Sequence, residues 1–305
     1  KDRSATESHF VFDAVRGHSK YIFPNGTNAE GTDATGILKS FNSDGFTLGT
    51  NDGVNKNSDN YVAWNWKANG AGSANTDGTI NSTVSVNQTA GFSIVKFTGS
   101  GANATVGHGL GVAPKMYILK RIDGGTNAWL VYHDGLDTSS PQNYRCVLNQ
   151  NTARQDMTTW NDTAPTNSVF SVGSDSEVNG SGQTYIVYCF AEKTGYSKFS
   201  SYTGNFNNDG TFIYTGFKPS WVIVKKRDAT GNWRMFDSVR ASNINPANKW
   251  MNADSNAAEG TDVQADLVSN GFKLRDAANA FNTSGSVYIY MAFGQSLVGS
   301  NNVPC

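Results

Sequence analysis

The chain has 305 residues and balanced charge, with 24 Lys and Arg against 25 Asp and Glu. Only 16% of its residues are charged, below the roughly 25% of an ordinary domain, so it lacks the basic surface that nucleic-acid binding requires. No apolar run approaches the about 18 residues of a membrane span. Hydrophobic residues make up 38% of the chain, enough for real cores, and the length predicts two or three domains.

The chain opens with an incomplete copy of an internal repeat. Its FDAVR motif at residues 12–16 returns as FDSVR at residues 236–240. In this alignment Lys1 falls on Lys225, so the first copy lacks everything equivalent to residues 196–224. A sheet without those strands has an open edge, and we expect the natural polypeptide to continue upstream.

Two complete copies follow. A G-x-x-P turn before an alternating apolar run begins at Gly111 and again at Gly216, at an offset of 105 residues. Trp129 and Trp233 recur at an offset of 104 residues. Several anchors at nearly constant spacing predict a duplicated array. The predicted boundaries are 1–68 for the C-terminal part of a first β-sandwich repeat, 69–90 for a linker or extended arm, 91–194 for the second repeat, and 195–305 for the third repeat with a C-terminal tail.

Each repeat is predicted to end in a closing strand with two unlike faces. The larger, more apolar face is predicted to pack against the core, and the mixed face to be partly covered. The larger face carries Val62, Trp64 and Trp66 in the first repeat, Ile186, Tyr188 and Phe190 in the second, and Ile289, Met291 and Phe293 in the third.

Period-2 runs of Val, Ile, Tyr and Phe dominate the chain, and Asp-Gly or Asn-Gly turn signals recur between them. No helical period is sustained, and a short helix is expected only within residues 245–258. These patterns predict an all-β fold of tandem β-sandwich modules, jelly-roll or lectin-like, of about 100 residues each.

Few residues suggest chemistry. Three Cys are too few for a disulfide framework, and Cys189 is predicted to be a buried thiol. The four His lack metal-ligand spacing, so neither a metal nor another cofactor is expected. His108 is predicted to lie in a surface loop. Asp13, His133 and Asp237 share one repeat position and are predicted to cap turns rather than to act together in catalysis.

The sequence does not favour an enzyme. Glycoside hydrolysis needs two carboxylates about 5–10 Å apart, whereas Asp175, Glu177, Asp254 and Glu259 are spread through polar segments. The G-x-S-x-G motif of a nucleophile elbow does not occur. We therefore predict a non-enzymatic protein.

Aromatic residues indicate a candidate glycan site, since an exposed ring with polar neighbours suits a sugar. Trp160 is the candidate, because its loop-like segment at residues 156–165 has no repeat equivalent. We predict Trp160, Asn161 and Asp162 as glycan-binding residues; in the alternative, Trp160 folds back on its own module. Trp129 and Trp233 are repeat-equivalent and are predicted to be core residues.

The repeat anchors resemble a known family. They include NYVAWNWKA at residues 60–68, GHGLGVAPKM at 107–116, SNGFKLR at 269–275 and LVGSNNVP at 297–304. The pattern is similar to that of repeat regions in large virion proteins of marine tailed bacteriophages, which are tail-fibre-like or lectin-like structural proteins. The likeness covers nearly the whole chain. Its anchors are turn and strand positions, so it transfers no binding residues.

The resemblance implies a virion surface protein, a tail fibre or other appendage, that functions in host attachment. The implied partners are a host cell-surface glycan or receptor, other virion proteins and further copies of the chain, with a trimer favoured. Nucleic acid and membrane insertion are not expected. Two alternatives stay open: a purely structural or capsid-decorating virion protein, and a carbohydrate-binding region of a secreted bacterial adhesin or enzyme.

Overall fold

The computed structural model describes residues 1–33, 35–240, 245–277 and 280–294. Across these residues the fold is nearly all β, as the sequence predicts, and its named strands pair antiparallel. Helical structure in the same residues is limited to single turns. These are α1 (Asp52–Asn55), α2 (Ser176–Asn179) and the 3-10 turns Asp134–Leu136, Pro141–Asn143 and Thr158–Trp160.

The strands follow the repeats. The first repeat contains β1 (Lys20–Tyr21), β2 (Gly31–Thr32), β3 (Leu38–Phe41) and β4 (Phe46–Leu48), and the arm at residues 69–90 contains β5 (Ser73–Asn75) and β6 (Ser82–Asn87). The second repeat contains β7 (Phe92–Thr98), β8 (Ala104–Gly107), β9 (Met116–Arg121), β10 (Trp129–His133), β11 (Tyr144–Val147), β12 (Gln155–Asp156), β13 (Val169–Val172) and β14 (Thr184–Phe190). The third repeat contains β15 (Ser197–Thr203), β16 (Phe212–Tyr214), β17 (Pro219–Lys226), β18 (Arg234–Asp237), β19 (Ala247–Asn252), β20 (Gly260–Val268), β21 (Gly271–Leu274) and β22 (Val287–Gly294).

Two eight-stranded sheets dominate the molecule. One has the order β12-β11-β10-β9-β14-β7-β6-β5, and the other has the order β15-β22-β17-β18-β19-β20-β21-β16. In both, the closing strand lies inside the sheet, with β14 between β7 and β9 and β22 between β15 and β17. Three two-stranded sheets pair β1 with β2, β3 with β4, and β8 with β13.

The arm is part of a sheet rather than a free linker. Strand β6 pairs along its whole length with β7, from Ser82 opposite Phe97 to Asn87 opposite Phe92. The weak alternation of this segment predicts an extended arm, and that reading agrees with the structure. The linker reading is wrong, because β7 offers a free edge whose backbone groups the arm satisfies.

The prediction of a short helix within residues 245–258 is also wrong. Residues 247–252 form β19, which pairs with β18 on one side and β20 on the other. Ala247 and Met251 of this strand are buried. The space between two strands supplies hydrogen-bond partners for an extended backbone, and this tertiary context overrides a weak local helix preference.

Both faces of the complete closing strands are buried. In β14, Ile186 and Phe190 belong to a core shared between repeats, whereas Val187 and Cys189 belong to the second repeat's own core. The faces of β22 divide in the same way. The core placement of the larger face is confirmed. The expectation that the mixed face is only partly covered is wrong here, because the second and third repeats fold further strands over it.

The shared core brings the three closing segments together at one point. Trp66, Phe190 and Phe293 hold the same position in their repeats, and their rings contact one another. The ring centroids lie 6.3 Å apart for Trp66 and Phe190, 5.5 Å for Trp66 and Phe293, and 6.0 Å for Phe190 and Phe293. Mutual contact of three equivalent side chains places the repeats around an approximate threefold axis.

Hydrogen bonds from each repeat to the preceding one support this arrangement. The indole Nε1 of Trp129 donates to the carbonyl oxygen of Phe23 in the first repeat at 2.9 Å. The indole Nε1 of Trp233 donates to the carbonyl oxygen of Val147 in the second repeat at 2.9 Å. Both indoles are 1% exposed, so their prediction as core residues is confirmed. They act as equivalent anchors between neighbouring repeats.

The first repeat contacts the third and closes the ring. His9 holds the position of Trp129, and its Nε2 lies 3.1 Å from the carbonyl oxygens of both Asn252 and Ser255. Because carbonyl oxygens only accept, Nε2 carries the proton. Arg3 also donates to both carboxylate oxygens of Glu259 at 2.9 Å each. Three equivalent backbone hydrogen bonds also join neighbouring repeats. In each, a backbone N–H donates to a carbonyl oxygen: Glu30 to Ile122 at 3.0 Å, Arg154 to Arg227 at 2.8 Å, and Glu259 to Arg3 at 3.0 Å.

Candidate functional site

Trp160 does not offer a surface to a sugar. Its side chain is 0% exposed, its Nε1 donates to the carbonyl oxygen of Tyr144 at 3.0 Å, and its ring packs edge-on against Tyr117 at 4.8 Å between centroids. The prediction that Trp160 stacks on a sugar is therefore wrong, and the alternative, that Trp160 folds back on its own module, is confirmed. Asn161 and Asp162 are exposed with positive φ angles of 51° and 45°. Glycan binding by these two residues stays a prediction.

His108 is buried rather than part of a surface loop. It is 0% exposed, its Nδ1 accepts the backbone N–H of Leu110 at 3.1 Å, and its Nε2 lies 3.2 Å from the carbonyl oxygen of Thr166. Burial lowers its pKa. The Gly-rich sequence around His108 predicts an exposed turn, but the ring itself supplies hydrogen bonds that hold this turn closed.

The repeat position shared by Asp13, His133 and Asp237 caps turns, as predicted. Each side chain accepts a backbone N–H two residues later, at 3.0 Å, 2.9 Å and 3.0 Å respectively. Each also joins a different pair of repeats. Tyr188 donates to Asp13 at 2.7 Å, Trp64 donates to Asp237 at 3.2 Å, and His133 Nε2 lies 3.0 Å from the carbonyl oxygen of Tyr290. Burial lowers the pKa of His133 to about 4, so the ring is neutral.

Two shallow polar depressions lie where the second repeat meets the third. Asp134 and Asp137 line the first, where Lys115 pairs with Asp134 at 2.6 Å and Arg154 pairs with Asp137 at 3.0 Å. Backbone N–H groups of residues 139 and 140 hold the pKa of Asp137 well below its ordinary value. A glycosidase acid requires the opposite shift.

The second depression is rich in amides. Asn149, Gln150 and Asn151 line it together with Asp254, the only carboxylate among its described lining residues. Burial raises the pKa of Asp254, and its Oδ1 accepts the backbone N–H of Trp233 at 3.0 Å. A single carboxyl group used in this way does not form the acid pair of a glycosidase.

The third repeat exposes an aromatic surface that the sequence reasoning missed. Phe212 and Tyr214 are 44% and 64% exposed, whereas Ile213 between them is 5% exposed and lies in the core. Alternation along β16 therefore places both aromatic rings on the outward side of the strand. We call the surface formed by Phe212 and Tyr214 the open face.

Charged groups adjoin the open face. Lys273 lies directly opposite Phe212 across the β16–β21 pair, and its Nζ donates to Asp209 at 2.8 Å and to the carbonyl oxygen of Gly210 at 3.1 Å. This lysine, with Arg275, holds the pKa of Asp209 below its ordinary value. The Asp209 side chain is 79% exposed. It is therefore an ionised hydrogen-bond acceptor in solvent beside the aromatic rings.

A third exposed aromatic residue precedes β16. Phe206 is 52% exposed and has a φ of 52°, a conformation that bulky residues seldom adopt. Its backbone N–H donates to the carbonyl oxygen of the buried Asn282 at 2.8 Å. The loop from β15 to β16 thus carries an aromatic side chain into solvent on a backbone that a buried residue holds in place.

The second repeat covers its equivalent face. The strand pairs give the register of the two repeats: Val106 pairs with Phe170, and Ile213 pairs with the equivalent Phe272, so Gly107 corresponds to Tyr214 and Thr105 corresponds to Phe212. A Cβ on Gly107 would lie 1.7 Å from Asn75 Oδ1 of the arm, and a Cβ on Gly109 would lie 3.1 Å from the Val84 side chain. The arm therefore packs where the third repeat has aromatic rings. The exchange of Gly107 and Thr105 for two aromatic residues was the sequence signal for the open face.

No helix among the described residues is long and apolar enough to cross a membrane. In the same part of the chain, no group of three or more His, Cys, Asp or Glu side chains is placed to hold a metal ion. Cys146 and Cys189 are free and buried, which confirms the prediction for Cys189. Burial raises the pKa of the Cys146 thiol to about 11. Cys305 lies outside the described residues.

Comparison with known proteins identifies a family. Comparisons with curated proteins and with solved structures gave no match. A family model described as a domain of unknown function, DUF7483, matches residues 1–296. This match spans all three repeats, the arm and both large sheets. The chain therefore belongs to the DUF7483 family.

Proposed function

We propose that this chain is a non-enzymatic surface protein of a bacteriophage virion, a tail fibre or other appendage, which attaches to a host glycan. The single observation that carries the glycan part is the open face, where Phe212 and Tyr214 stand side by side in solvent. The virion part rests on the resemblance of the repeat anchors to tail-fibre-like and lectin-like virion proteins.

The chemistry of the open face suits a sugar. The C–H face of a pyranose ring stacks on an aromatic side chain and buries apolar area, while its hydroxyl groups need fixed hydrogen-bond partners. Phe212 and Tyr214 provide the stacking surface. The ionised Asp209 and the Lys273 ammonium provide an acceptor and a donor next to it. A flat face of this kind favours weak binding to an extended, repetitive glycan.

Two further observations support the proposal. The second and third repeats each enclose a core of their own, which fits lectin-like β-sandwich or jelly-roll modules. The acidic side chains of the two depressions are ion-paired or single, which fits a binding protein better than a glycosidase. Several weak sites on one particle would add avidity without a deep pocket.

A glycan array of bacterial surface polysaccharides tests the glycan part. The wild-type chain should bind at least one glycan, and the double variant F212A/Y214A should lose that binding while it keeps the cooperative unfolding transition of a folded chain. The variant Phe41→Ala is a matched control, because it removes an aromatic ring that is 46% exposed in the first repeat. Equal binding by the double variant and the wild type would exclude the open face as the glycan site.

A second candidate is a structural or capsid-decorating virion protein without a ligand. The observation that favours it is the arm, which covers the equivalent face of the second repeat with polypeptide. In this case a partner chain would cover the open face in the assembled particle. A photo-crosslinking amino acid in place of Tyr214 would then attach to one virion protein, and the isolated chain would bind no glycan.

Location and assembly are proposals with their own tests. Gold-labelled antibody against the chain should decorate phage particles, whereas a region of a secreted bacterial adhesin or enzyme would label cells or medium only. We also propose a homo-oligomer, with a trimer favoured. Sedimentation velocity of the purified chain at several concentrations measures this state, and a single monomeric species throughout would exclude it.

A further inference from the structure

The core of the third repeat has a polar margin where the other two repeats are apolar. Arg234 and Asn252 stand directly opposite each other across the β18–β19 pair, at the start of one strand and the end of the other. Arg234 and Phe236 lie on the same side of β18, and Phe236 belongs to the core of the third repeat. The side chains of Arg234 and Asn252 are therefore on the core side of the sheet.

The equivalent pair in the second repeat is apolar. Leu130 stands opposite Val147 across β10 and β11, and the two are 0% and 3% exposed in the core of that repeat. In the first repeat the same positions hold Phe10 and Phe23, whose rings pack edge to face at 4.9 Å between centroids. The equivalence is set by the carbonyl oxygens of Phe23, Val147 and Asn252, each of which accepts an anchor from the next repeat. One repeat of the three thus replaces an apolar contact by a polar pair.

The polar pair lacks hydrogen-bond partners. Within the part of the chain that the structure describes, Arg234 Nε and Asn252 Oδ1 are buried without a partner, and so is Nε1 of Trp250. Trp250 lies on the same side of β19 as Asn252, and Cζ of Arg234 lies 3.5 Å from the centroid of the Trp250 ring. A buried donor or acceptor without a partner costs stability. Two donors and one acceptor therefore lie together where the other repeats bury apolar side chains without this cost.

The charge around Arg234 restricts the kind of ligand. Burial lowers the pKa of Arg234 to about 10, against the opposing influence of Asp262, Asp254 and Asp276, so the guanidinium is a cation at neutral pH. These carboxylates act on the guanidinium through space and not through a hydrogen bond. Their negative charge disfavours an anion, and the guanidinium disfavours a cation. The position suits an uncharged ligand that both accepts and donates hydrogen bonds, as hydroxyl groups do.

We propose that Arg234, Trp250 and Asn252 form a second saccharide site, the Arg234 site, which binds adjacent hydroxyl groups of a neutral sugar. The hydroxyl oxygens accept from Arg234 Nε and Trp250 Nε1, and a hydroxyl hydrogen is donated to Asn252 Oδ1. Phe212 and Tyr214 lie on the outward side of the same sheet, so the Arg234 site is separate from the open face. The inference does not depend on glycan binding by the open face.

A nuclear magnetic resonance titration tests the Arg234 site directly. The nitrogen-labelled wild-type chain is titrated with the methyl glycosides of glucose, galactose, mannose and rhamnose. The Nε–H signal of Arg234 and the indole Nε1–H signal of Trp250 should shift together and saturate with at least one of these sugars. The variant Trp250→Phe assigns the indole signal. It should also weaken binding about two- to tenfold, followed at Arg234, because it removes one hydrogen-bond donor.

The second repeat supplies the matched double variant. R234L/N252V copies Leu130 and Val147, so it should fold with an unfolding midpoint equal to or above that of the wild type, as is common when a binding group is replaced by a core residue. The indole signal of Trp250 should no longer respond to any of the four sugars in this variant. Both signals belong to the Arg234 site, so the outcome is separable from the glycan-array result for the open face.

A control variant removes a guanidinium that already has a partner. Arg121 pairs with Asp123 at 2.9 Å in the second repeat, and Arg121→Leu should bind sugar as the wild type does. Absence of a saturable shift with all four glycosides overturns the proposal, and this measurement needs no variant that must fold. An unchanged response in R234L/N252V, or unchanged affinity in Trp250→Phe, would overturn it as well.

Discussion

Strands β8 and β16 hold the same place in the second and third repeats, yet one is covered and the other is open. The arm packs over β8 and the residues that follow it, where Gly107 and Gly109 leave room for its side chains. No described segment covers the outward side of β16, where Phe212 and Tyr214 stand in solvent. The comparison shows that the arm, a segment outside the repeat, determines which of the two faces is exposed. Small residues lie on the face that the arm covers, and aromatic residues lie on the exposed face.

The chemical character of the two faces differs accordingly. Single exposed apolar residues are normal on protein surfaces, but two adjacent aromatic rings beside an ion pair form a distinct surface. On β8 the arm instead satisfies backbone groups directly, as when the backbone N–H of Ile80 donates to the carbonyl oxygen of Thr105 at 3.0 Å. The face that the arm covers in the second repeat is therefore exposed to solvent in the third repeat.

The largest expected effect separates the two sides of β16. Ile213→Ala should lower the free energy of unfolding by about 2–5 kcal/mol, because it empties a buried core position. Phe212→Ala on the same strand should cost much less, because its ring is 44% exposed. Urea unfolding of both variants measures the difference. Equal losses would mean that the ring of Phe212 is part of the core, and the open face would not exist.

The next effect concerns the covered face. Gly107→Phe should lower the free energy of unfolding by about 1–3 kcal/mol, because an aromatic ring overpacks the space that the arm occupies. Hydrogen exchange in β6 should increase at the same time. Gly45→Phe is the control, since a Cβ at Gly45 meets no atom within 4 Å. Unchanged exchange in β6 would show that the arm does not depend on glycine at this position.

The equivalent corners of the two repeats also differ, with His133 in the second and Asp237 in the third. Burial lowers the pKa of His133 to about 4, with smaller influences from Asp134, Lys115 and Arg227. The unfolded chain therefore binds a proton at this ring that the folded chain does not, below about pH 6.5. The contribution of His133 to the free energy of unfolding should be fully present above pH 6.5 and should fall as the pH decreases toward 4.

The variant His133→Asn isolates this contribution. Its amide oxygen can accept the Gly135 N–H from the position of Nδ1 without titrating, and the loss of the contact to Tyr290 does not depend on pH. The slope of unfolding free energy against pH should decrease by up to about 1.4 kcal/mol per pH unit between pH 6.5 and 4. His9 is a second source of pH-dependent stability in this variant, since burial lowers the pKa of His9 to about 3. A pH profile identical to that of the wild type would show that His133 is protonated in the folded chain.

The smallest expected effect on stability concerns Tyr214, on the exposed side of β16. Tyr214→Ala should change the free energy of unfolding by no more than about 0.5 kcal/mol, because the side chain is 64% exposed and surface changes have effects of this size. Differential scanning calorimetry measures the change. A loss above about 2 kcal/mol would indicate that Tyr214 supports the fold rather than a ligand.

Much of the fold follows from local patterns in the chain. The G-x-x-P turns precede β9 and β17, the Ser269-Asn270 turn joins β20 to β21, and Asp13, His133 and Asp237 cap turns as their shared position predicts. Alternation and turn chemistry involve neighbouring residues only, so a sequence displays them directly. Repeat alignment extends this by identifying equivalent positions, such as Trp129 and Trp233.

The candidate site was less predictable. Trp160 has the residue type of a glycan-binding platform, but a buried position between Tyr144 and Tyr117 removes it from solvent. Phe212 and Tyr214 read as an ordinary strand in the sequence, because exposure depends on whether another segment packs above them. Local pattern does not contain that information.

The sequence by itself determined that this protein is all β, that it consists of repeats, and where the equivalent residues of those repeats lie. Only the tertiary structure decided that the repeats close into a ring around Trp66, Phe190 and Phe293, that the arm covers one repeat, and that the open face is left on another. Strand formation depends on residues close together in the chain, whereas burial depends on contacts between segments more than a hundred residues apart, such as Arg3 and Glu259.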